Sequence, residues 1–168
     1  MNRNTMIALY YSFIYPYFTY CNQIWGSASA SSINRLFILQ KKAVRIICLA
    51  NPRTHISPLF KELRFLNIWQ VNKYLIGQFM YKHFRNCMLP SIFDKHLTKI
   101  KHIHSHETKQ ASRHYYVPNY RTDYRRTSYS FRGPLIWNSI MLLEICPSVK
   151  LNTFQIHLKN SSLDGALQ

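Results

Sequence analysis

Carboxylates are the scarcest chemistry in this sequence. Glu62, Asp94, Glu107, Asp123, Glu144 and Asp164 are all that its 168 residues contain, and they stand one at a time. No two are close enough in sequence to make a local two-metal site or a general acid/base pair. Glycine is scarcer still, at four residues, which argues against the glycine-rich loops that hold phosphate, and no Walker or dinucleotide pattern occurs. The cysteines Cys21, Cys48, Cys87 and Cys146 never pair as C-x-x-C, so a local zinc ribbon or redox motif is absent. Their wide spacing fits small buried residues of an intracellular protein better than a disulfide framework. No serine sits in a nucleophile elbow, and no standard DNA- or RNA-binding signature is present. Alone, the chain is expected to be no enzyme, with no catalytic residue, no cofactor and no metal.

What is abundant is positive charge: 22 Lys and Arg set against those six acids give a formal net charge of +16. Such an excess points to a polyanionic partner, because neutralising phosphates releases condensed counterions. Hydrophobic residues make up 47% of the chain, enough for a packed core rather than a disordered basic tail. Twelve tyrosines accompany the cations, a pairing suited to stacking on bases while engaging phosphates, although single rings more often pack than bind. His102, His104 and His106, followed by Glu107, alternate as three strand ligands of a metal would, but nothing upstream makes this segment a strand, and it reads as a polar loop. Residues 4–34 carry no charge. Tyrosines, Pro16 and the late position of Ser27–Ala30 argue against a signal peptide, and the run is too short and polar for a spanning helix.

The spacing predicts a mainly α fold: a bundle of amphipathic helices, a basic loop, and a small irregular β-hairpin before a C-terminal helix. Residues 4–24 read as aromatic-rich helices broken near Pro16. Ile33–Leu49 is the clearest helix, capped by Ser31 or Ser32, with Ile33, Leu36, Phe37, Gln40, Val44 and Ile47 on one side and Arg35, Lys41, Lys42 and Arg45 elsewhere. Ser57-Pro58 is expected to start a short helix ending near Arg64, and a further helix spans Asn67–Phe84. Arg113–Val117 and Arg125–Phe131 suit two short strands. Arg132-Gly133-Pro134 reads as a turn before a short helix through Trp137 to Leu143, and Ser148 as the cap of a last helix built on Leu151, Phe154 and Leu158. The regions are thus 1–90 helical, 91–130 basic and aromatic, 131–160 a helical cap, and 161–168 a frayed tail.

Several phrases occur in a telling order: Tyr15-Pro16-Tyr17-Phe18-Thr19-Tyr20-Cys21, Ile24-Trp25-Gly26, Leu39-Gln40-Lys41-Lys42-Ala43-Val44-Arg45-Ile46-Ile47, Pro58-Leu59-Phe60-Lys61-Glu62-Leu63, Leu89-Pro90, His104-Ser105-His106-Glu107-Thr108-Lys109 and Arg132-Gly133-Pro134-Leu135-Ile136-Trp137-Asn138. Across nearly the whole chain this resembles the carboxy-terminal, thumb and post-thumb part of non-LTR (LINE-type, jockey-like) retrotransposon reverse transcriptases, which are RNA-directed DNA polymerases. The resemblance implies a segment that helps grip RNA template and primer duplex downstream of a palm. The palm's aromatic-x-Asp-Asp motif, the fingers and an endonuclease are missing, so no catalytic residue carries over. Met1 then reads as an internal methionine of a longer frame.

The expected partners are RNA and/or DNA, and the palm and fingers of a polymerase; the expected location is intracellular, in nucleus or cytoplasm, and not secreted. Charge and exposure, rather than a motif, select the candidate contacts. They are Arg35, Lys41, Lys42, Arg45, Arg113, Arg121, Arg125 and Arg126 for phosphates, and Tyr116, Tyr120 and Tyr124 for stacking. The alternatives are a degenerate retroelement remnant without selected activity and a basic protein of membrane surfaces, with membrane the weaker partner.

Overall fold

Proline and scarce glycine govern how the first helices are built. The computed structural model describes residues 2–86, 89–103, 112–143 and 150–163. It is mainly helical, and contacts divide the chain into two compact units, Met1–Asn72 and Lys73–Gln168.

In the first unit, α1 (Arg3–Leu9) runs into a π turn at Tyr10–Ile14 and then α2 (Tyr15–Thr19). Pro16 lacks an N–H and its ring would strike the carbonyl four residues back. The π turn widens the helix there, with the Tyr15 N–H donating to the Tyr10 carbonyl, and Pro16 occupies the first turn of α2. The expected break near Pro16 is therefore a bulge in a continuous helical path. Cys21 turns the chain through a left-handed conformation, φ 49°, into α3 (Asn22–Trp25). The longest helix, α4 (Ala30–Ile47), starts earlier than its sequence suggests: Ser29, not Ser31 or Ser32, is the N-cap, and its Oγ accepts from the Ser32 N–H at 3.4 Å. Next, α5 (Ile56–Leu63) likewise begins ahead of Ser57-Pro58, with His55 at the cap. Last, α6 (Ile68–Phe84) opens on a reciprocal cap in which the Gln70 N–H donates to Asn67 Oδ1 and the Asn67 N–H to Gln70 Oε1, both at 2.9 Å.

The core of this unit packs Tyr10, Phe18, Ile33, Val44, Phe60, Phe65 and Ile68. Gln40 lies at its centre with no exposed surface. Its Nε2 donates to Tyr10 Oη at 3.0 Å and to the Leu66 carbonyl at 2.9 Å, and its Oε1 accepts from the Ile68 N–H at 3.0 Å. The carboxamide thereby serves backbone groups at the non-helical crossing from α5 to α6, and each would be expensive to leave buried and unpaired. A second amide pair closes the unit: Asn72 Nδ2 donates to Asn22 Oδ1 at 2.8 Å, and Asn22 Nδ2 to the Phe18 carbonyl at 2.8 Å.

In the second unit the end of α6 is followed by 3-10 turns at Ser91–Lys95 and Ile100–His102, then α7 (Asp123–Arg126), α8 (Tyr129–Leu142) and α9 (Leu151–Leu163). The expected hairpin does not form: among the described residues the one bridge joins Lys99 and Tyr115, antiparallel, and no strand pair exists. Arg125–Phe131 is largely helical because Tyr129, Gly133, Ile136, Trp137 and Ile140 make one helical stripe, and all but Tyr129 are fully buried. The Arg132-Gly133-Pro134 turn is likewise replaced by helix. A Cβ on Gly133 would lie 2.9 Å from Met80 Sδ and 3.2 Å from a Tyr129 ring carbon, so this glycine serves close packing rather than a turn. Phe154 and Leu158 of α9 enter the same core, as their spacing suggests. Ser148, His104, His106, Glu107, Cys87, Cys146, Glu144 and residues 164–168 lie outside the described residues.

Glycine scarcity leaves its mark at helix ends. Leu49 (φ 49°) and Arg64 (φ 51°) hold the left-handed positions that glycine usually fills, closing α4 with Ala50 N–H to Arg45 C=O at 2.9 Å and α5 with Phe65 N–H to Phe60 C=O at 3.0 Å. Urea denaturation checks both features. Gln40→Met, similar in shape but unable to pair these groups, is expected to lower stability by about 2 kcal/mol or more. Leu49→Gly is expected to raise it by about 1 kcal/mol by relieving the left-handed strain.

Candidate nucleic-acid interface

The candidate contacts fall on two surfaces, one in each unit. On α4, Ile33, Gln40, Val44 and Ile47 turn inward. Arg35 and Lys42 point to solvent; at i and i+7 they share a side of the helix, roughly 10 Å apart along its axis. Lys41 lies half-buried, its Nζ 4.7 Å from the centroid of the Phe37 ring. Arg45 is held by the loop beyond the helix: Nη2 donates to the Thr54 carbonyl at 3.2 Å, and its Nε is buried without a hydrogen-bond partner. Arg35 and Lys42 are thus the extended cations of this face, while Arg45 also fastens the loop. The face is not purely basic, since Ile38, Leu39 and Ile46 are exposed among the cations. Beside it, Met6, Leu9, Phe13, Ile14, Ala43 and Ile46 line an apolar groove of about 290 Å³.

In the second unit the candidates follow an extended segment that α8 holds in place. Asn138 acts as a one-residue strand partner: Oδ1 accepts from the Tyr115 N–H at 3.0 Å and Nδ2 donates to the Tyr115 carbonyl at 2.8 Å. Trp137 Nε1 donates to the Arg113 carbonyl at 2.8 Å, and the Tyr116 N–H to the Thr98 carbonyl at 2.8 Å. With Tyr115 buried, the alternation of an extended chain turns Tyr116 outward, and Arg113 is exposed in the turn that precedes this segment. Further along, Arg121, Tyr124, Arg125 and Arg126 are exposed. Tyr124 is 87% exposed, the most open ring of the segment. Tyr120 is engaged, with its hydroxyl 3.4 Å from Ser130 Oγ, the Arg125 guanidinium 5.5 Å from its ring centroid, and Phe131 beside it. Arg126 pairs with Asp123 at 3.5 Å, a solvent-exposed contact of small energetic weight. Of the three stacking tyrosines, the fold leaves Tyr124 and Tyr116 available and packs Tyr120.

A buried histidine anchors this surface from below. Asp94 as a carboxylate only accepts, so His83 carries its proton on Nε2 and donates to Asp94 Oδ1 at 3.1 Å. Its bare Nδ1 accepts from the Tyr115 hydroxyl at 2.7 Å. Burial drives the His83 pKa below its ordinary value, against the opposing pull of Asp94, and pushes the Tyr115 phenol up. Nearby, burial and the charge of Lys101 lower the pKa of Lys99, whose Nζ lies 4.5 Å from the Phe84 ring centroid.

Sequence reasoning set Gln40 on the apolar side of its helix without giving it a role, and missed His83 and Asn138, because a polar residue in an amphipathic pattern is ordinarily assigned to solvent. It also missed Lys73 and Arg132, which line a cavity of about 490 Å³ with Leu135, Ile136, Asn138, Ser139 and Leu142. The only available signal was their position on helices otherwise rich in buried residues. Among the described residues no helix is long and apolar enough to cross a membrane.

The His83 shift has a definite sign in pH. A histidine whose folded pKa is depressed takes up a proton more readily in the unfolded chain, so stability declines as pH falls below about 6.5 toward the folded value. Denaturation at pH 7 and pH 5 is expected to show this loss, and His83→Gln to show a smaller one. An unchanged pH dependence in the variant would remove His83 as its source.

No family model matches the chain, and neither a curated protein nor a solved structure matches it.

Proposed function

We propose that this chain is a nucleic-acid-binding segment comparable to the thumb and post-thumb end of a LINE-type reverse transcriptase, one that grips RNA template and primer duplex and supplies no catalytic group. One observation carries the reading: Arg113, Tyr116, Arg121, Tyr124 and Arg125 are exposed together on a segment of little regular structure, with Asp123 its one carboxylate. Cations that track phosphates and rings that stack on bases are the two elements of sequence-tolerant binding to nucleic acid. The net charge of +16 extends the attraction over the whole chain. The palm and fingers of such a polymerase would be its protein partners, and nucleus or cytoplasm its location.

The exposed N-terminal residues favour a second reading. Phe13, Tyr17, Tyr20 and Ile24 are each more than two-thirds exposed or close to it, at 67%, 79%, 78% and 75%. Apolar rings beside a basic helix are also the chemistry of a protein lying on an anionic membrane surface. Co-sedimentation with vesicles rich in phosphatidylserine, lost on Phe13→Ser with Tyr17→Ser, would favour that reading.

Fluorescence anisotropy tests the first reading with an RNA–DNA duplex and a single strand. If about five phosphates are neutralised, the log–log salt slope on duplex is expected to be roughly −4 to −5. Tyr124→Ala is expected to weaken single-strand binding by about 1 kcal/mol or more. Absence of binding at low salt would overturn the proposal and leave a retroelement remnant without selected activity as its replacement.

A further inference from the structure

The groove of about 290 Å³ in the first unit is built from two helical segments: Leu9 and Phe13 come from α1 and its π turn, Ala43 and Ile46 from α4. The described lining residues carry no charge, and the one hydroxyl among them, Tyr10 Oη, is bonded to Gln40. Phe13 is 67% exposed and Ile46 65%, so the walls keep apolar surface in water that this unit does not itself cover. Leu39, exposed one turn before Ala43, carries the apolar strip along α4. The two rims differ in charge. Residues 4–34 are uncharged, so the rim made by the N-terminal helices has none. On the α4 rim, Lys42 lies four residues before Ile46, and Arg35 two turns before Lys42; both are exposed, roughly 10 Å apart along the axis. Lys41 turns instead to the Phe37 ring and Arg45 to the Thr54 carbonyl. Glu62 is the one carboxylate side chain in Met1–Asn72, and it pairs with Arg3 at 2.6 Å.

We propose that this groove docks an amphipathic helix of a partner protein, with the apolar stripe of that helix on Leu9, Phe13 and Ile46 and a row of carboxylates along one flank facing Arg35 and Lys42. An apolar channel between helical segments suits a helix whose anchors recur at i, i+3, i+4 and i+7. Carboxylates seven residues apart on the docked helix span the same roughly 10 Å as Arg35 and Lys42. The opposite flank meets the uncharged N-terminal rim, so acidic residues are needed on one side only. A second copy of this chain fits poorly: it brings a net charge of +16 and six carboxylates that stand one at a time. An anionic bilayer is flat and would rest on the protruding rings of Phe13 and Tyr17, leaving the concave part unfilled. The site lies apart from the basic segment around Tyr124 and does not rest on nucleic-acid binding.

Anisotropy of fluorescein-labelled peptides of about 18 residues, long enough to form a helix, tests this on the full chain. The first peptide carries leucines at i, i+3, i+4 and i+7 and glutamates along one flank; the second has lysines in place of those glutamates; the third is a scramble of the first with the same charge. The first is expected to bind at least tenfold more tightly than either of the others. Ile46→Ser, at an exposed position, is expected to weaken it at least threefold. Lys42→Glu is expected to weaken the first peptide and tighten the second. Should a variant fail to fold, the three peptides on the wild-type chain still decide. A scramble that binds equally well, or a charge swap without effect, would overturn the site. So would sedimentation showing a self-associated chain, or co-sedimentation with phosphatidylserine vesicles, that Ile46→Ser abolishes: the groove would then hold a second copy or a bilayer. Ile46→Ser is expected to leave Tyr124-dependent oligonucleotide binding in place, so the failure of one proposal does not decide the other.

Discussion

Buried backbone must be hydrogen-bonded, and in a fold made of helices the stretches between them have no neighbouring strand to bond with. Each unit answers with a carboxamide on a long helix. Gln40 of α4 bonds the Leu66 carbonyl and the Ile68 N–H; Asn138 of α8 bonds the N–H and the carbonyl of Tyr115. A carboxamide offers a donor and an acceptor in the spacing of a peptide group, so one side chain stands in for one residue of an absent strand. An apolar side chain of equal volume would fill the same space and leave the backbone unsatisfied. The two arrangements fix where the irregular segments run, and so which side chains those segments present.

This explains how the candidate interface is built. The segment around Tyr115 is extended, but its order comes from α8, from Thr98 and from the His83–Tyr115 contact rather than from a sheet. Tyr115 is drawn inward by its hydroxyl as well as its ring, and the alternation of an extended chain then turns Tyr116 outward. The basic, open character of residues 121–126 follows from a different cause. A four-residue helix has no apolar stripe to bury, so its tyrosine and arginines remain in solvent.

Periodicity in the sequence reveals the helices whose buried stripe is continuous: α4, α6 and α9 are legible from their apolar spacing. Their first residues are less so, because several polar residues compete for each cap; Ser29 lies before Ser31 and Ser32, and geometry rather than residue type selects it. The start of α8 was hidden by Gly133-Pro134. Both residues break helices in solvent, yet here the glycine admits Met80 and the proline stands inside the helix, buried on the same side as Gly133. The charge of the interface was legible at once. Which cations reach solvent was not, since Arg45 and Arg132 differ from Arg35 only in what the fold packs around them.

The π turn at Tyr10–Ile14 has a consequence for how the chain's length can vary. It holds one residue more than an α-helix needs over the same rise, so it marks a place where a deletion would leave a regular helix behind. Such a deletion would keep Met6 and Ile7 on the core face and Arg3 beside Glu62, its partner at 2.6 Å, because the wider turn takes up its extra residue without rotating what precedes it. A missing residue is therefore better tolerated at this turn than in the regular helix before it, where each deletion would rotate the preceding residues by about 100°.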